Sequence, residues 1–282
     1  MNDVIIEKIY EDKIWIITVN RENSANSINK NTADELFKSF DLFEKDPKSC
    51  VAILTGKGRY FCAGADLKEI NKSLKVHIKN LKTNEDKNES KTNSNMNELS
   101  QEGNGPLGIS RMILSKPTIA AINGPAVAGG FELILWCDLR ITYPECEMGV
   151  YCRRFGVPLI DGGTYRLPIL IGMSRSMDLI LTGRKFTGQE GYNIGLINRL
   201  TNRERVLEQS IILAKELCQL PQICMRNDRL SLINNCYKNY QEIVKNEFNY
   251  GISSLKSNEA IIGSNLFSKG KGRHGQSLKP KF

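Results

Sequence analysis

The sequence predicts an α/β fold, and three observations carry that expectation. Short apolar runs end in turn residues, segments with helical apolar spacing lie between them, and a length of 282 residues can bury a substantial core. KIWIITVN (13–20) and CVAILTG (50–56) read as strands. Between them, NKNTADELFKSFDLFEKD sets Leu36, Phe40 and Phe43 at helical spacing, which makes a strand, helix, strand unit. PTIAAING (117–124) reads as a third strand that leads through PAVAGG into FELILWCDL, a turn followed by a buried helix. DLRITY then returns to a strand. From residue 202 onward the pattern is helical, as in RERVLEQSIILAKELCQLP, with apolar stripes suited to cover the core or a neighbouring subunit.

Two stretches depart from this pattern. From about 72 to 102 the chain turns to Lys, Asn, Ser, Glu and Thr, which reads as a mobile polar insertion on the surface. The end, SKGKGRHGQSLKPKF, holds five basic residues and no acid. The expected organisation is a core over 1–200 that carries the insertion, and a helical subdomain over 201–282 with a basic tail.

Composition narrows the chemistry. No apolar run approaches the roughly 20 residues that a membrane-crossing helix needs, and MNDVIIEKIYEDK is unlike a signal or transit peptide. Cytoplasmic residence is the expectation, with no membrane partner. The eight cysteines contain no CxxC pair and read as reduced core residues, so neither a disulfide framework nor a metal site is expected. The only histidines are His77, in the polar insertion, and His274, in the basic tail, which leaves acid–base work to carboxylates. A net charge of +8 suits either nucleic acid or a small ligand bearing several phosphates.

Two loops share one design. RYFCAGADLKEI (59–70) and NGPAVAGGFELILWCD (123–138) each run from a strand through small residues to a helix start. Gly64 with Ala65, and Ala128 with Gly129 and Gly130, let backbone approach a ligand and leave N–H groups free at a helix N-terminus, where they attract anions or a developing oxyanion. Each loop alone reads better as a plain tight turn.

TGKGRYFCAGADLKEI, KPTIAAINGPAVAGGFELILWCDLR and GVPLIDGGTYRLPILIG, in this order and spacing, resemble the crotonase superfamily, which includes the enoyl-CoA hydratases. The resemblance runs from about Trp15 to Leu200 and continues weakly through the C-terminal helices. It implies a spiral of ββα repeats with a C-terminal helical subdomain that builds homotrimers or homohexamers. It also implies an acyl-CoA substrate, with coenzyme A part of that substrate and no separate cofactor. The amides of Ala65 and Gly129 would form an oxyanion hole for the thioester carbonyl. Ala63, Ala65, Asp66, Leu67, Lys68 and Gly129 would line the coenzyme A side, and basic residues at the mouth would meet its phosphates.

The same resemblance marks the acids. Glu132 occupies the position of one hydratase glutamate; its other reading is a helix N-terminal charge, worth about 0.3–1 kcal/mol. The second hydratase glutamate would stand twelve residues before Thr164, where this chain has Cys152. Asp161, three residues before Thr164, stands where dienoyl-CoA isomerases and a dehalogenase-type branch carry an aspartate facing the acyl chain. An aspartate before Gly-Gly also caps turns and helices, so both readings of Asp161 stand. Arg153 and Arg154 either pair with these acids or face solvent. The leading function is enoyl-CoA hydratase-like, with enoyl-CoA isomerisation or decarboxylation as the alternative. A further alternative is a non-catalytic acyl-CoA or RNA-binding protein, although nucleic acid is not the expected partner.

Overall fold

The structure is a computed structural model that describes residues 2–69, 103–236, 240–256 and 259–271. The polar insertion and the tail from 272 onward lie outside the described residues. The chain opens with an antiparallel hairpin, β1 (Val4–Ile9) and β2 (Ile14–Val19). Most side chains of β1 face solvent, as suits an edge strand, and its short apolar run, Val4 to Ile6, does not read as a strand in the sequence. Helix α1 (Lys30–Lys45) buries the expected Leu36, Phe40 and Phe43. Its start is set by Asn29, whose side chain accepts from the Thr32 N–H at 2.8 Å. Its C-terminus is closed from outside: buried Lys116 donates to the carbonyls of Phe43, Glu44 and Asp46, each at 2.8 Å. The fully buried strand β3 (Val51–Gly56) then pairs parallel with β2.

From here the chain winds as a spiral. β4 (Thr118–Ala121) joins the large sheet, β5 (Ala126–Val127) joins a second sheet, and α2 (Gly129–Trp136) follows. β6 (Leu139–Thr142) and β7 (Glu147–Gly149) repeat the step, and β8 (Phe186–Thr187) and β9 (Arg199–Leu200) extend each sheet once more. The large sheet has the order β1-β2-β3-β4-β6-β9, the small one β5-β7-β8. Cys62 bridges Ala126, Ala126 faces Met148, and Met148 faces Phe186, so the small sheet is a ladder built from successive turns of the spiral. This stacking brings the loop after β3 against the loop after β5.

Helices α3 (Gly163–Ile171), α4 (Met173–Thr182) and α5 (Gly188–Asn193) follow the small sheet. In the C-terminal part, α6 (Val206–Cys218) covers β3, β4 and β6, while α7 (Gln222–Cys236) leaves Ile223 and Leu232 exposed. α8 (Tyr240–Lys256) and α9 (Glu259–Ser268) close over residues 151–160: a Cβ at Gly251 would strike Ile160, and one at Gly263 the backbone of Phe155. In the core, four aromatic rings form an edge-to-face chain: Trp15 to Phe43 at 5.9 Å, Phe43 to Phe40 at 6.4 Å, and Phe40 to Trp136 at 5.0 Å. All eight cysteines are free. Five are buried as expected, Cys218 is half-buried, and Cys224 and Cys236 on α7 are exposed, contrary to the reading of all eight as core residues.

Candidate active site

The two glycine-containing loops meet. Gly64, at φ +88°, lies so close to the second loop that a Cβ on it would stand 2.6 Å from the Gly129 nitrogen. A Cβ on Gly129 would in turn stand 3.2 Å from the Gly64 Cα. Only glycine allows this backbone approach. Ala65 is held by a parallel bridge to Ile28, through Ile28 N–H to Gly64 O (2.8 Å) and Asp66 N–H to Ile28 O (3.0 Å). Ala128, anchored by its N–H on Gly149 O at 2.9 Å, has φ 53° and ψ −126°, a backbone conformation that costs an alanine about 1–3 kcal/mol. That turn starts α2 and leaves the Gly129 N–H outside the helical ladder. Among the described residues, neither the Ala65 nor the Gly129 N–H has an acceptor. The side chain of Leu107 packs over Gly129, its Cδ1 2.9 Å from where a Cβ would stand.

Glu132 is buried on α2, three residues beyond Gly129. Its Oε1 accepts from Asp161 N–H at 3.0 Å and from Gly163 N–H, the first residue of α3, at 2.9 Å. These amides support a negative charge there. Gly163 serves this contact, because a Cβ on it would lie 2.9 Å from the same oxygen. Cys152 is buried in the short turn Tyr151–Phe155; burial first, and the Glu132 charge second, push its thiol up to about 12. A thiol with that value is neutral near pH 7.

Asp161 is buried, and its Oδ1 accepts from Leu107 N–H at 3.0 Å and in a short hydrogen bond from the Ser110 hydroxyl. It does not cap the helix that follows it: the cap position is Gly162, and the carboxylate at the start of α3 is that of Glu132. Burial raises Asp161 above the usual carboxylate range, opposed by Ser110, the Leu107 N–H and the Arg111 and Arg166 guanidinium groups. Arg166, buried in α3, donates to Asp161 O at 2.9 Å and to Ser110 O at 2.6 Å. Arg153 and Arg154 reach neither acid. Arg153 donates to Ile180 O, while Arg154 donates to Gly183 O and lies 3.7 Å over the Tyr151 ring.

Of the remaining sequence-predicted residues, Ala63 and Leu67 are half-buried and Lys68 is exposed. Asp66 is tied into the scaffold, through Arg21 Nη2 at 3.1 Å and the Lys68 N–H at 3.2 Å. A cavity of about 220 Å³ lies elsewhere, between the end of α2, α3 and α7; none of Ala65, Gly129, Glu132 or Asp161 lines it. Among the described residues no three His, Cys, Asp or Glu side chains gather as a metal site. Sequence reasoning missed Leu107, Ser110 and Arg166. The signals present were the turn-rich GNGPLGIS, where Gly105 and Gly108 both take positive φ, and a lone arginine in the apolar helix YRLPILI.

The enoyl-CoA hydratase/isomerase family matches residues 10–259. The chain belongs to this family. It is 31% identical over 222 residues to the short-chain-enoyl-CoA hydratase of Clostridium acetobutylicum, covering 77% of this chain and 76% of that one. It is also 31% identical over 201 residues to the mevalonyl-coenzyme A hydratase of Aspergillus fumigatus, covering 71% and 67%. Among solved structures, the enoyl-CoA hydratase EchA1 of Mycobacterium marinum superposes with TM-score 0.72 at 26% identity, covering 96% and 97%. A carnitinyl-CoA hydratase of Mycobacterium avium shares the fold at TM-score 0.77 and 23% identity, over the full length of both chains. The crotonase fold expected from the motifs is thus the fold observed, and the protein is an enzyme of hydratase/isomerase type.

Proposed function

We propose that this hydratase/isomerase-family enzyme adds water to an enoyl-CoA, with the Ala65 and Gly129 amides holding the thioester oxygen and Glu132 serving as the principal acid–base group. The observation that carries this reading is the contact of Gly64 with Gly129, which brings the loop bearing Ala65 to the start of the helix that carries the buried Glu132, with the Ala65 and Gly129 amides both without acceptors among the described residues. Water attacks C3 of the enoyl group as a carboxylate takes its proton. The charge that moves onto the thioester oxygen is held by the two amides, each worth roughly 2.7–4 kcal/mol of barrier in comparable sites. A proton then reaches C2. Asp161 is assigned as the second acid–base group through Oδ2, since Oδ1 is occupied by Leu107 and Ser110. Ala63, Leu67 and Lys68 are assigned to the coenzyme A side, and Asp66 to holding their segment.

Isomerisation is the second reading, favoured by Cys152: a neutral thiol stands beside Glu132 where a second glutamate would serve hydration, and one carboxylate suffices to move a proton between carbons. Incubation with a panel of enoyl-CoA and malonyl-type thioesters, with products weighed by mass spectrometry, separates the cases. Gain of one water supports hydration; an unchanged mass with a moved double bond supports isomerisation, and loss of carbon dioxide decarboxylation. Glu132→Gln keeps an acceptor for both amides and should lower kcat by about 10²–10⁴ with little change in KM. A folded variant within threefold of wild type would remove Glu132 from the chemistry. The assembly we propose is a homotrimer or homohexamer, supported by the exposed Ile223 and Leu232 on α7 and tested by light scattering.

A further inference from the structure

Residues 105–111 enter the site from the far side of the sequence, and the structure ties them there by side chains rather than by a sheet. Ser110 is fully buried; its hydroxyl donates to Asp161 Oδ1, and its carbonyl accepts from Arg166 Nη2 at 2.6 Å. Arg166 uses its other terminal nitrogen on the Asp161 carbonyl at 2.9 Å, so one guanidinium spans the two residues that the hydroxyl also joins. The Leu107 N–H completes the set on Oδ1 at 3.0 Å. Gly105 makes room, because any side chain there would strike the Ser110 hydroxyl.

We propose that Ser110 is a positioning residue, which together with Arg166 fixes the Asp161 carboxylate by occupying Oδ1 and leaves Oδ2 as the atom that exchanges a proton with the acyl chain. The inference rests on the assignment of Asp161 as an acid–base group. A donated hydroxyl stabilises the ionised carboxylate, so its removal should raise the pH at which Asp161 titrates. The other charged and titratable groups at Asp161 are Arg111 on the same loop, Arg166 on α3, and Glu132 on α2, which takes the Asp161 N–H. None of these changes in Ser110→Ala.

The test compares wild type, Ser110→Ala, Asp161→Asn and the double variant on crotonyl-CoA across pH, with folding checked by circular dichroism. Ser110→Ala should lower kcat about tenfold with KM within twofold, the scale of one lost hydrogen bond to a charged group. It should also move the inflection that Asp161→Asn abolishes upward by about one pH unit. The double variant should be no slower than Asp161→Asn alone. As a readout independent of turnover, the Tm deficit of Ser110→Ala should grow from pH 4 to pH 7, and that growth should vanish in the Asp161→Asn background. An unmoved inflection, or additive losses in the double variant, would overturn the role of Ser110 while leaving Asp161 in place. Wild-type turnover in Asp161→Asn would overturn the acid–base assignment itself, and the inference with it.

Discussion

Asp161 shows opposing physical demands on one side chain: burial raises its pKa while Ser110, the Leu107 amide and two arginines lower it, with burial the larger effect. A carboxylate raised in the folded state contributes its full stability below the ordinary value near 4, and that contribution is lost as pH rises through the folded value. Asn at this position keeps the acceptor and never ionises. Asp161→Asn should therefore be at least as stable as wild type at pH 7, lose that advantage near pH 4, and turn over slowly throughout, a pattern that thermal melts at the two pH values would reveal. Melts in which the variant is less stable at pH 7 than at pH 4, relative to wild type, would contradict the burial argument. Cys152 makes a contrasting case. With its thiol pushed up to about 12, it should resist alkylation in the native protein at pH 8, while exposed Cys224 and Cys236 react, as peptide mapping would show. Cys152→Ala should leave turnover within a few-fold of wild type.

Helix α1 illustrates how an element is bounded by partners of different range. Asn29 caps its start from within the sequence, and Asn29→Ala should cost about 1 kcal/mol in urea unfolding. Lys116 closes its end from 70 residues away in sequence, measured to Asp46. Lys116→Met removes a charged donor's bonds to those three carbonyls and to Ser49 Oγ and should cost more, about 2–4 kcal/mol. Equal losses in the two variants would show that the lysine only fills space. The difference in range also explains what the sequence disclosed. The helical spacing of Leu36, Phe40 and Phe43 is local and was legible, as were the strands β2, β3 and β4. The partners of Asp161 were not, because Leu107 and Ser110 lie 54 and 51 residues earlier, and the sequence left the aspartate as either an acid–base group or a cap. Of the two glycines after Asp161, Gly163 admits Glu132 and Gly162 admits Arg166. β1 escaped notice for a different reason: its apolar run, Val4 to Ile6, is short, and four consecutive side chains of the strand are exposed.

Across the whole molecule, the spiral converts sequence distance into contact. Each turn adds a strand to both sheets, so loops after β3 and β5 fall side by side although some sixty residues separate Gly64 from Gly129. This convergence was readable only through the resemblance of the ordered motifs to a known family, since each glycine-containing loop by itself reads as a plain tight turn. The ring chain from Trp15 through Phe43 and Phe40 to Trp136 crosses the same architecture and joins the N-terminal hairpin to the end of the helix that bears Glu132. Trp15 and Trp136 are the chain's only tryptophans, and both are buried. The enzyme thus carries its own optical reporters, one in the amino-terminal sheet and one at the far end of the helix that bears Glu132. Single-tryptophan proteins made by Trp15→Phe and Trp136→Phe should each shift their emission to the red on unfolding, at the same urea midpoint once each variant's stability is taken into account. Were the Trp136 emission to shift first, the helix that carries Glu132 would be loosening ahead of the sheet, and fluorescence would register the onset of inactivation before the fold is lost.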